Sequence, residues 1–248
     1  METHEQIKNK ISILTPSRSR PSRLHDFVKS VYEMSKAPEN LEFLNYVDND
    51  DPDIESYKKI EKQITASSEC KFLFKNFYES PISVSKSWNI LASNSSGNVL
   101  IMGNDDVIYK TRGWDSILIE ETLKFKDDIY LMWFNDGIKK NKHASFPIIS
   151  RKWYETLGYF TPGCFNFGFN DTWLFEISLI IKRAHYLDNI LIDHMSWKRD
   201  KRYWDSTYAR NRTQERGNLY NKDKEIWDKT YYERIKEAVK LIDLIENK

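Results

Sequence analysis

The sequence predicts an α/β protein: a mixed, mostly parallel sheet flanked by helices and followed by a C-terminal amphipathic helix. Three observations predict it. Through residue 110, short apolar runs alternate with stretches whose apolar residues recur at helical spacing, the pattern expected of parallel strands joined by right-handed crossovers. Two of those runs stop on acids, Asp48 with Asp50 and Asp51, and Asp105 with Asp106. Residues 224–248 place Trp227, Tyr231, Ile235, Val239, Ile242 and Ile245 on one helical stripe.

The elements follow in order. "KISILTPS" (10–17) reads as a strand ending at Pro16, and "SRLHDFVKSVYEMSK" (22–36) repeats Leu24, Phe27, Val28, Val31 and Met34 as a helix does. "LEFLNYVDNDD" (41–51) is a second strand. "PDIESYKKIEKQI" (52–64) opens with proline at a helix start and carries Ile54, Tyr57, Ile60 and Ile64 on one face. "CKFLFKN" (70–76) is a third strand, "SVSKSWNILASNS" (83–95) a helix, and "NVLIMG" the next strand. Beyond residue 115 the alternation loosens. "SILIEETLKF" reads as helix, "DIYLMWFND" (128–136) and "ASFPIIS" (144–150) as strands, and "NDTWLFEISLIIKRA" (170–184) as a helix. "HYLDNILIDHMSW" (185–197) is a strand or strand pair, residues 198–224 are charged and irregular, and 224–248 form one helix.

Composition excludes several classes. Lys and Arg number 38 against 37 Asp and Glu, so no global field marks a nucleic-acid or membrane partner. Cys70 and Cys164 make neither a disulfide framework nor a zinc cluster, and fit a cytoplasmic protein. No apolar run reaches the roughly 18 residues of a membrane span, and no signal peptide is read at the N-terminus. Gly-x-x-x-x-Gly-Lys-Ser/Thr and Gly-x-Gly-x-x-Gly are both absent, which excludes a P-loop and a dinucleotide fingerprint.

The stretch "NVLIMGNDDV" can be read two ways. Gly, Asn and Asp are turn formers, so it can be a plain loop. It can also be a strand delivering carboxylates to a divalent cation that shares its ligands with phosphate. The second strand also ends in acids and the first in "TPSRSRP", so a parallel sheet puts hydroxyls, guanidiniums and carboxylates on one edge, where open α/β sheets bind ligands. Arg suits phosphate there through its planar fork.

Those segments resemble the GT-A glycosyltransferases, in particular the family 2-like branch with its bacterial and phage-encoded members. "ISILTPSRSRP" resembles the opening strand and nucleotide loop, "YVDNDDP" the second strand, "SVSKSWN" the helix start that carries Ala-Arg-Asn in the family, and "LIMGNDDV" the Asp-x-Asp motif. "IISRKWYETLGYFTPGCFNFGFNDTWLFEI" resembles the segment with the Gly-x-Phe turn and the Glu-Asp pair. The resemblance spans about residues 10–200. It implies a GT-A, Rossmann-like domain over 1–200, with a nucleotide-binding half (10–110) and an acceptor half (111–200). Residues 201–248 then form a basic loop and helical appendage.

The resemblance implies roles. Thr15, Pro16, Ser17 and Arg18 line the base and ribose, and Arg20 meets phosphate or fixes the loop. Asp48 accepts a hydrogen bond from the base. Asp106 is the direct ligand of Mn²⁺ or Mg²⁺, with Asp105 on ribose, sugar or a water of the cation. His194 matches a late histidine that some members use as a second metal ligand; read alone it is a structural histidine. Asp171 is the catalytic base; read alone it is a helix cap. The sequence departs at Asn104, which replaces the first Asp of Asp-x-Asp, and at Asn170, which replaces the Glu of Glu-Asp. Trp88 replaces the helix-start arginine, leaving Lys86 or Asn89 as substitutes. Asp136, Glu155 and Glu176 are further carboxylates of the acceptor half.

The expectation is thus a metal-dependent transferase moving a sugar from a nucleoside-diphosphate sugar, UDP-sugar favoured, to an acceptor hydroxyl, with inversion. The acceptor is a glycan or modified DNA; Lys198, Arg199, Lys201, Arg202, Arg210, Arg212 and Arg216 among Tyr203, Trp204 and Tyr208 suit nucleic acid, a loop closing over the diphosphate, or simply a solvated face. The rival readings are a nucleotidyltransferase of related fold and a catalytically silent sugar-nucleotide binder.

Overall fold

The computed structural model describes residues 9–67, 70–212 and 219–246. Four strands, β1 (Ile11–Ser17), β2 (Leu41–Asp48), β3 (Leu73–Glu79) and β4 (Val99–Met102), are separated by helices α1 (Pro21–Met34), α2 (Ile54–Ala66) and α3 (Val84–Ser93). Then come β5 (Val107–Tyr109), α4 (Trp114–Thr122), β6 (Leu131–Asn135), β7 (Ile148–Ser150), α5 (Arg151–Leu157), α6 (Asn170–Ile180) and β8 (Ala184–His194). Helices α7 (Ser206–Arg212), α8 (Leu219–Lys229) and α9 (Tyr231–Glu246) close the chain.

The strands form one sheet in the order β3-β2-β1-β4-β7-β6-β8-β5. β1 pairs in parallel with β2 and β4, and β2 with β3. β7 runs antiparallel to both β4 and β6, while β8 runs parallel to β6 and antiparallel to β5. The mixed, mostly parallel α/β expectation therefore holds. β1 is buried along almost its whole length because helices cover both faces of the sheet, which is why its sequence reads as a nearly continuous apolar run. Alternate side chains serve opposite layers. Ile11, Ile13, Phe43 and Ile101 pack with α1 and Trp114 on one face; Leu14, Leu44, Leu100 and Ile149 pack with α3, α5, α6 and α9 on the other. Trp114 and Trp153, each fully buried, anchor the two layers, and truncating either to Ala removes about 3–5 kcal/mol.

Three expectations shift, and one unread strand appears. β3 begins at Leu73, not Cys70, because its pairing with β2 starts at Leu73 opposite Glu42 and runs to Glu79. The three-residue β5 exists only through antiparallel pairing with the far end of β8, Val107 opposite His194. The region 198–224 is not wholly irregular: it holds α7 and the start of α8. The single C-terminal helix is two, broken at Thr230. There the Ile226 carbonyl accepts from the Thr230 hydroxyl and the Trp227 carbonyl from the Arg234 guanidinium. The break turns α9 so that Arg234, Ala238 and Leu241 are buried against α6 and α5, while Tyr231 and Val239 of the expected stripe face solvent. Among the described residues no helix is long and apolar enough to cross a membrane.

Topology gathers the candidate residues. β1, β2 and β4 share a direction, and β6 and β8 share it too, since β7 is antiparallel to β4 and β6. Their carboxyl ends therefore lie on one edge. α6 precedes β8 and runs back across the sheet, so its N-terminus is at the same edge. Asp48, Arg18, Arg20, Asp105, Asp106, His194 and Asp171 all stand there.

Candidate active site

Gly103 sets the close approach of β4 to β1. A Cβ there would meet Thr15 Oγ1 at 2.2 Å, and its N–H donates to the Leu14 carbonyl at 2.8 Å. This brings the acid pair against the loop leaving β1. The Ser17 hydroxyl donates to Asp105 Oδ2 at 2.7 Å and meets the Tyr57 hydroxyl at 2.7 Å. Arg18 pairs with Asp48 at 2.6 Å and with Asp50. Burial raises the Asp48 carboxyl, with Arg18 opposing. Buried Asp51 ties the loop down by accepting the N–H groups of Ser19 and Asp53 at 2.7 and 2.8 Å. Thr15 is fully buried with its hydroxyl unpartnered among the described residues, and Pro16 lies beside Tyr46 of β2.

Arg20 is the hub. Its Nη1 donates to Asp105 Oδ1 at 2.9 Å and lies 4.0 Å from Asp106 Oδ2. Its Nε and Nη2 grip both oxygens of Asp205, at 2.9 Å each, and its guanidinium stacks 4.7 Å from the Tyr208 ring centroid. Such a bidentate fork is the geometry with which arginine takes carboxylate or phosphate. Asp205 and Tyr208 bring the chain from Trp197 to α7 across the Arg18 and Arg20 cluster, where Trp204 stacks on Tyr208 and the Thr207 hydroxyl donates to the Arg18 carbonyl. Arg210 reaches to 3.9 Å from Asp48. Arg216 and the side chain of Arg212, part of the expected basic segment, lie outside the described residues.

The adjacent acids are pushed apart. Burial raises Asp105, although Arg20 opposes it. Burial also acts against the Asp106 charge, but His194, Arg20 and the Tyr208 hydrogen bond outweigh it, and its carboxyl is lowered to about 2. Asp106 is therefore the more acidic of the two. Its Oδ2 accepts from the Tyr208 hydroxyl at 2.6 Å and stands 3.7 Å from His194 Nε2. Burial and the Asp106 charge raise the Tyr208 phenol, which stays the donor. His194 is held edge-on by Phe146 at 4.9 Å.

Asp106 Oδ1 is buried and, among the described residues, has no hydrogen-bond partner. Natively buried carboxylate oxygens are almost always satisfied, so an orphan calls for an explanation. A small divalent cation supplies one: Asp106 and His194 offer an oxygen and a nitrogen, and a hard cation completes its shell with phosphate oxygens and water. The residues present fit such a site when a diphosphate contributes. Alone they do not fill one, and no group of three or more His, Cys, Asp or Glu side chains converges among the described residues.

Farther along the same edge, Asp171 is in the first turn of α6, whose N-cap position belongs to Phe169 with φ +62°. Asp171 Oδ1 accepts from Thr172 N–H at 2.8 Å and from its hydroxyl at 3.3 Å; Oδ2 meets His143 Nε2 at 2.9 Å. Other candidates are not brought in. Asn89 is spent on the 160–161 loop, its amide donating to the Thr161 carbonyl at 2.8 Å and its oxygen accepting from Phe160 and Thr161 N–H. Lys86 is exposed on the first turn of α3, and Asn104 sits half-buried in the β4–β5 turn. Asp136 is buried under three backbone N–H groups, and Glu176 pairs with Arg234 at 2.6 Å. Sequence reasoning missed Asp205 as an Arg20 ligand, Tyr208 as an Asp106 ligand and His143 altogether. Only a Tyr in a basic segment and a His among five hinted at them, and neither is a pattern.

No protein-family model matches the sequence, and no curated protein matches it. Solved structures do. A mannosyltransferase from Pyrobaculum calidifontis, PcManGT in complex with GDP-Man and Mn²⁺, superposes with a TM-score of 0.59 at 12% identity, over 77% of this chain and 58% of that one. The chain has the GT-A fold. S. aureus TarS 1-349 gives 0.53 at 10% identity over 73% and 60%, and its complex with UDP-GlcNAc gives 0.52 at 9% over 73% and 58%. This GT-A chain thus spans about three-fifths of the length of those proteins.

Tyr208 makes the first testable point. Its hydroxyl holds Asp106 Oδ2, the oxygen nearer His194, which a cation held by both Asp106 and His194 would have to share, and a hydrogen bond to a charged group contributes about 1.5–3 kcal/mol. Tyr208→Phe is expected to tighten Mn²⁺ binding by about tenfold or more in a calorimetric titration. Weaker binding would instead make Tyr208 part of the cation-binding arrangement.

Proposed function

We propose that the protein is a divalent-cation-dependent glycosyltransferase that moves a sugar from a nucleoside-diphosphate sugar to an acceptor hydroxyl. The observation that carries this reading is Asp106, charged, buried and with an orphan oxygen, beside His194 and Arg20 at the strand-end edge of a GT-A fold. Asp106 and His194 would hold Mn²⁺ or Mg²⁺, which when bound neutralises charge growing on the departing diphosphate. Arg20 provides the same service from the protein: an incoming phosphate takes the bidentate place that Asp205 fills. Asp48 offers an acceptor to a base N–H, which uracil and guanine both present, and the preference for a UDP-sugar rests on the sequence resemblance. Asp171 and its partner His143, at the same edge of the sheet, would take up the proton of the acceptor hydroxyl, and a base acting across the anomeric carbon from the departing diphosphate would invert that centre.

The neighbours motivate the test, since one carries GDP-Man with Mn²⁺ and another UDP-GlcNAc. UDP-glucose, UDP-GlcNAc and GDP-mannose are incubated with the protein and Mn²⁺, then with chelator. Expected are a cation-dependent rise in melting temperature and release of nucleoside diphosphate. Release of pyrophosphate would point to nucleotidyl transfer, and tight donor binding without turnover on any acceptor to a silent binder.

A further inference from the structure

We infer that His143 is the group that accepts the proton of the acceptor hydroxyl, with Asp171 as the carboxylate that orients it. The inference rests on the transfer reading above. It starts from the occupancy of Asp171. Three donors already bind its two oxygens: the Thr172 N–H and hydroxyl on Oδ1, and His143 Nε2 on Oδ2. A proton arriving on this carboxylate must compete with donors already in place. The imidazole is in the opposite position. Its Nε2–H donates to Asp171, which fixes the tautomer and leaves Nδ1 as a lone-pair acceptor. Among the described residues Nδ1 has no hydrogen bond, and the side chain is only partly covered.

The ring is also held still. Phe175 of α6 packs against it edge-on at 5.3 Å. The loop that carries it is built around Asp136, whose Oδ1 accepts from the N–H groups of Ile138, Lys139 and Lys140, and whose Oδ2 accepts from the Ser145 hydroxyl at 2.9 Å. The Lys140 carbonyl is fastened to the Trp133 indole at 2.8 Å. Three residues beyond His143, Phe146 packs on His194, so this loop joins the proton-accepting side to the Asp106 side. A base preorganised by a rigid scaffold and oriented by a carboxylate is a recurrent solution for activating hydroxyls.

The step balances. The acceptor O–H proton moves to His143 Nδ1 while the oxygen forms its bond to the anomeric carbon. The bond from that carbon to the diphosphate oxygen breaks, and its electron pair leaves with the nucleoside diphosphate. The imidazolium is compensated by the Asp171 carboxylate 2.9 Å away and returns its proton to solvent.

The test uses water as acceptor and the donor hydrolysed best among UDP-glucose, UDP-GlcNAc and GDP-mannose, with Mn²⁺. Nucleoside-diphosphate release is followed in wild type, His143→Ala and Asp171→Asn, and donor affinity is measured by calorimetry as a check on the fold. His143→Ala is expected to lose about 10²–10⁴-fold in turnover with donor affinity unchanged, and imidazole added to the buffer is expected to restore turnover in proportion to its concentration. Asp171→Asn is expected to lose turnover that imidazole does not restore. A near-normal rate in His143→Ala, or a loss that imidazole leaves untouched, would overturn the assignment while the transfer reading stands on wild-type turnover. No release by wild type despite donor binding would overturn the transfer reading and this assignment with it.

Discussion

Asp106→Asn is expected to abolish cation-dependent nucleotide binding and to lower turnover by about 10³-fold or more. The magnitude follows from the chemistry. A bound cation contributes several kcal/mol to a transition state that builds charge on phosphate oxygens, and each 1.4 kcal/mol is a factor of ten. The variant keeps the shape of the side chain and removes the charge. The fold should survive, because Arg20 retains Asp105 and both oxygens of Asp205. Asp106→Ala is the poorer probe, since it leaves the buried Tyr208 hydroxyl without its acceptor and opens a gap. Asp105→Asn is the contrasting variant. Asp105 is committed to Ser17 and Arg20, so its loss should loosen the loop leaving β1 and lower melting temperature more than it lowers cation affinity. Titration heats for Mn²⁺ with a nucleoside diphosphate that are unchanged in Asp106→Asn would remove the metal-site reading.

The parts of this molecule that the sequence makes legible are those dictated locally. β1, β2 and β4 read as apolar runs because both faces of the sheet are covered, and the acids behind them mark strand ends because carboxylates do not stay in such a layer unpaired. What resists reading is set by distant pairings. β5 is three residues that become a strand only against His194, Ile192 and Asp193. His143 meets Asp171 from 28 positions away, and Tyr208 meets Asp106 from 102. Trp88 shows the same limit. Where the sequence resemblance led to an expected arginine, its indole donates to the Leu14 carbonyl at 3.0 Å and braces β1 just before Thr15. Asn89, offered by the sequence as a substitute, is consumed by the 160–161 loop. The guanidinium that stands against the acid pair at this edge is that of Arg20, a residue the sequence reading placed in the nucleotide loop.

Asp171→Asn is expected to lower sugar transfer by about 10²–10⁴-fold while donor affinity and melting temperature hardly change. A group that serves proton removal matters only as the acceptor attacks, and contributes little to holding the donor. The alternative is that Asp171 merely favours the start of α6. The geometry argues against a pure capping role. Phe169, not Asp171, occupies the N-cap position, and Asp171 Oδ1 accepts from the next residue's N–H rather than from one two or three positions on. What remains of a helix role is charge near a helix start, worth about 0.3–1 kcal/mol, and Asn keeps the hydrogen-bonding oxygen for Thr172. A helix-only role therefore predicts nearly normal transfer and a small drop in melting temperature. A role in proton transfer predicts the reverse, a steep loss of turnover at nearly constant stability. The same outcome is required whether the carboxylate takes the proton or stands behind His143, because Asn lacks the charge that either task needs. Near-normal transfer by Asp171→Asn would remove both. Of the remaining acceptor-half carboxylates named from the sequence, Asp136 is saturated by its own loop and Glu176 is paired with Arg234, which leaves Glu155, near Asn98 and Ser150 at the opposite edge of the sheet.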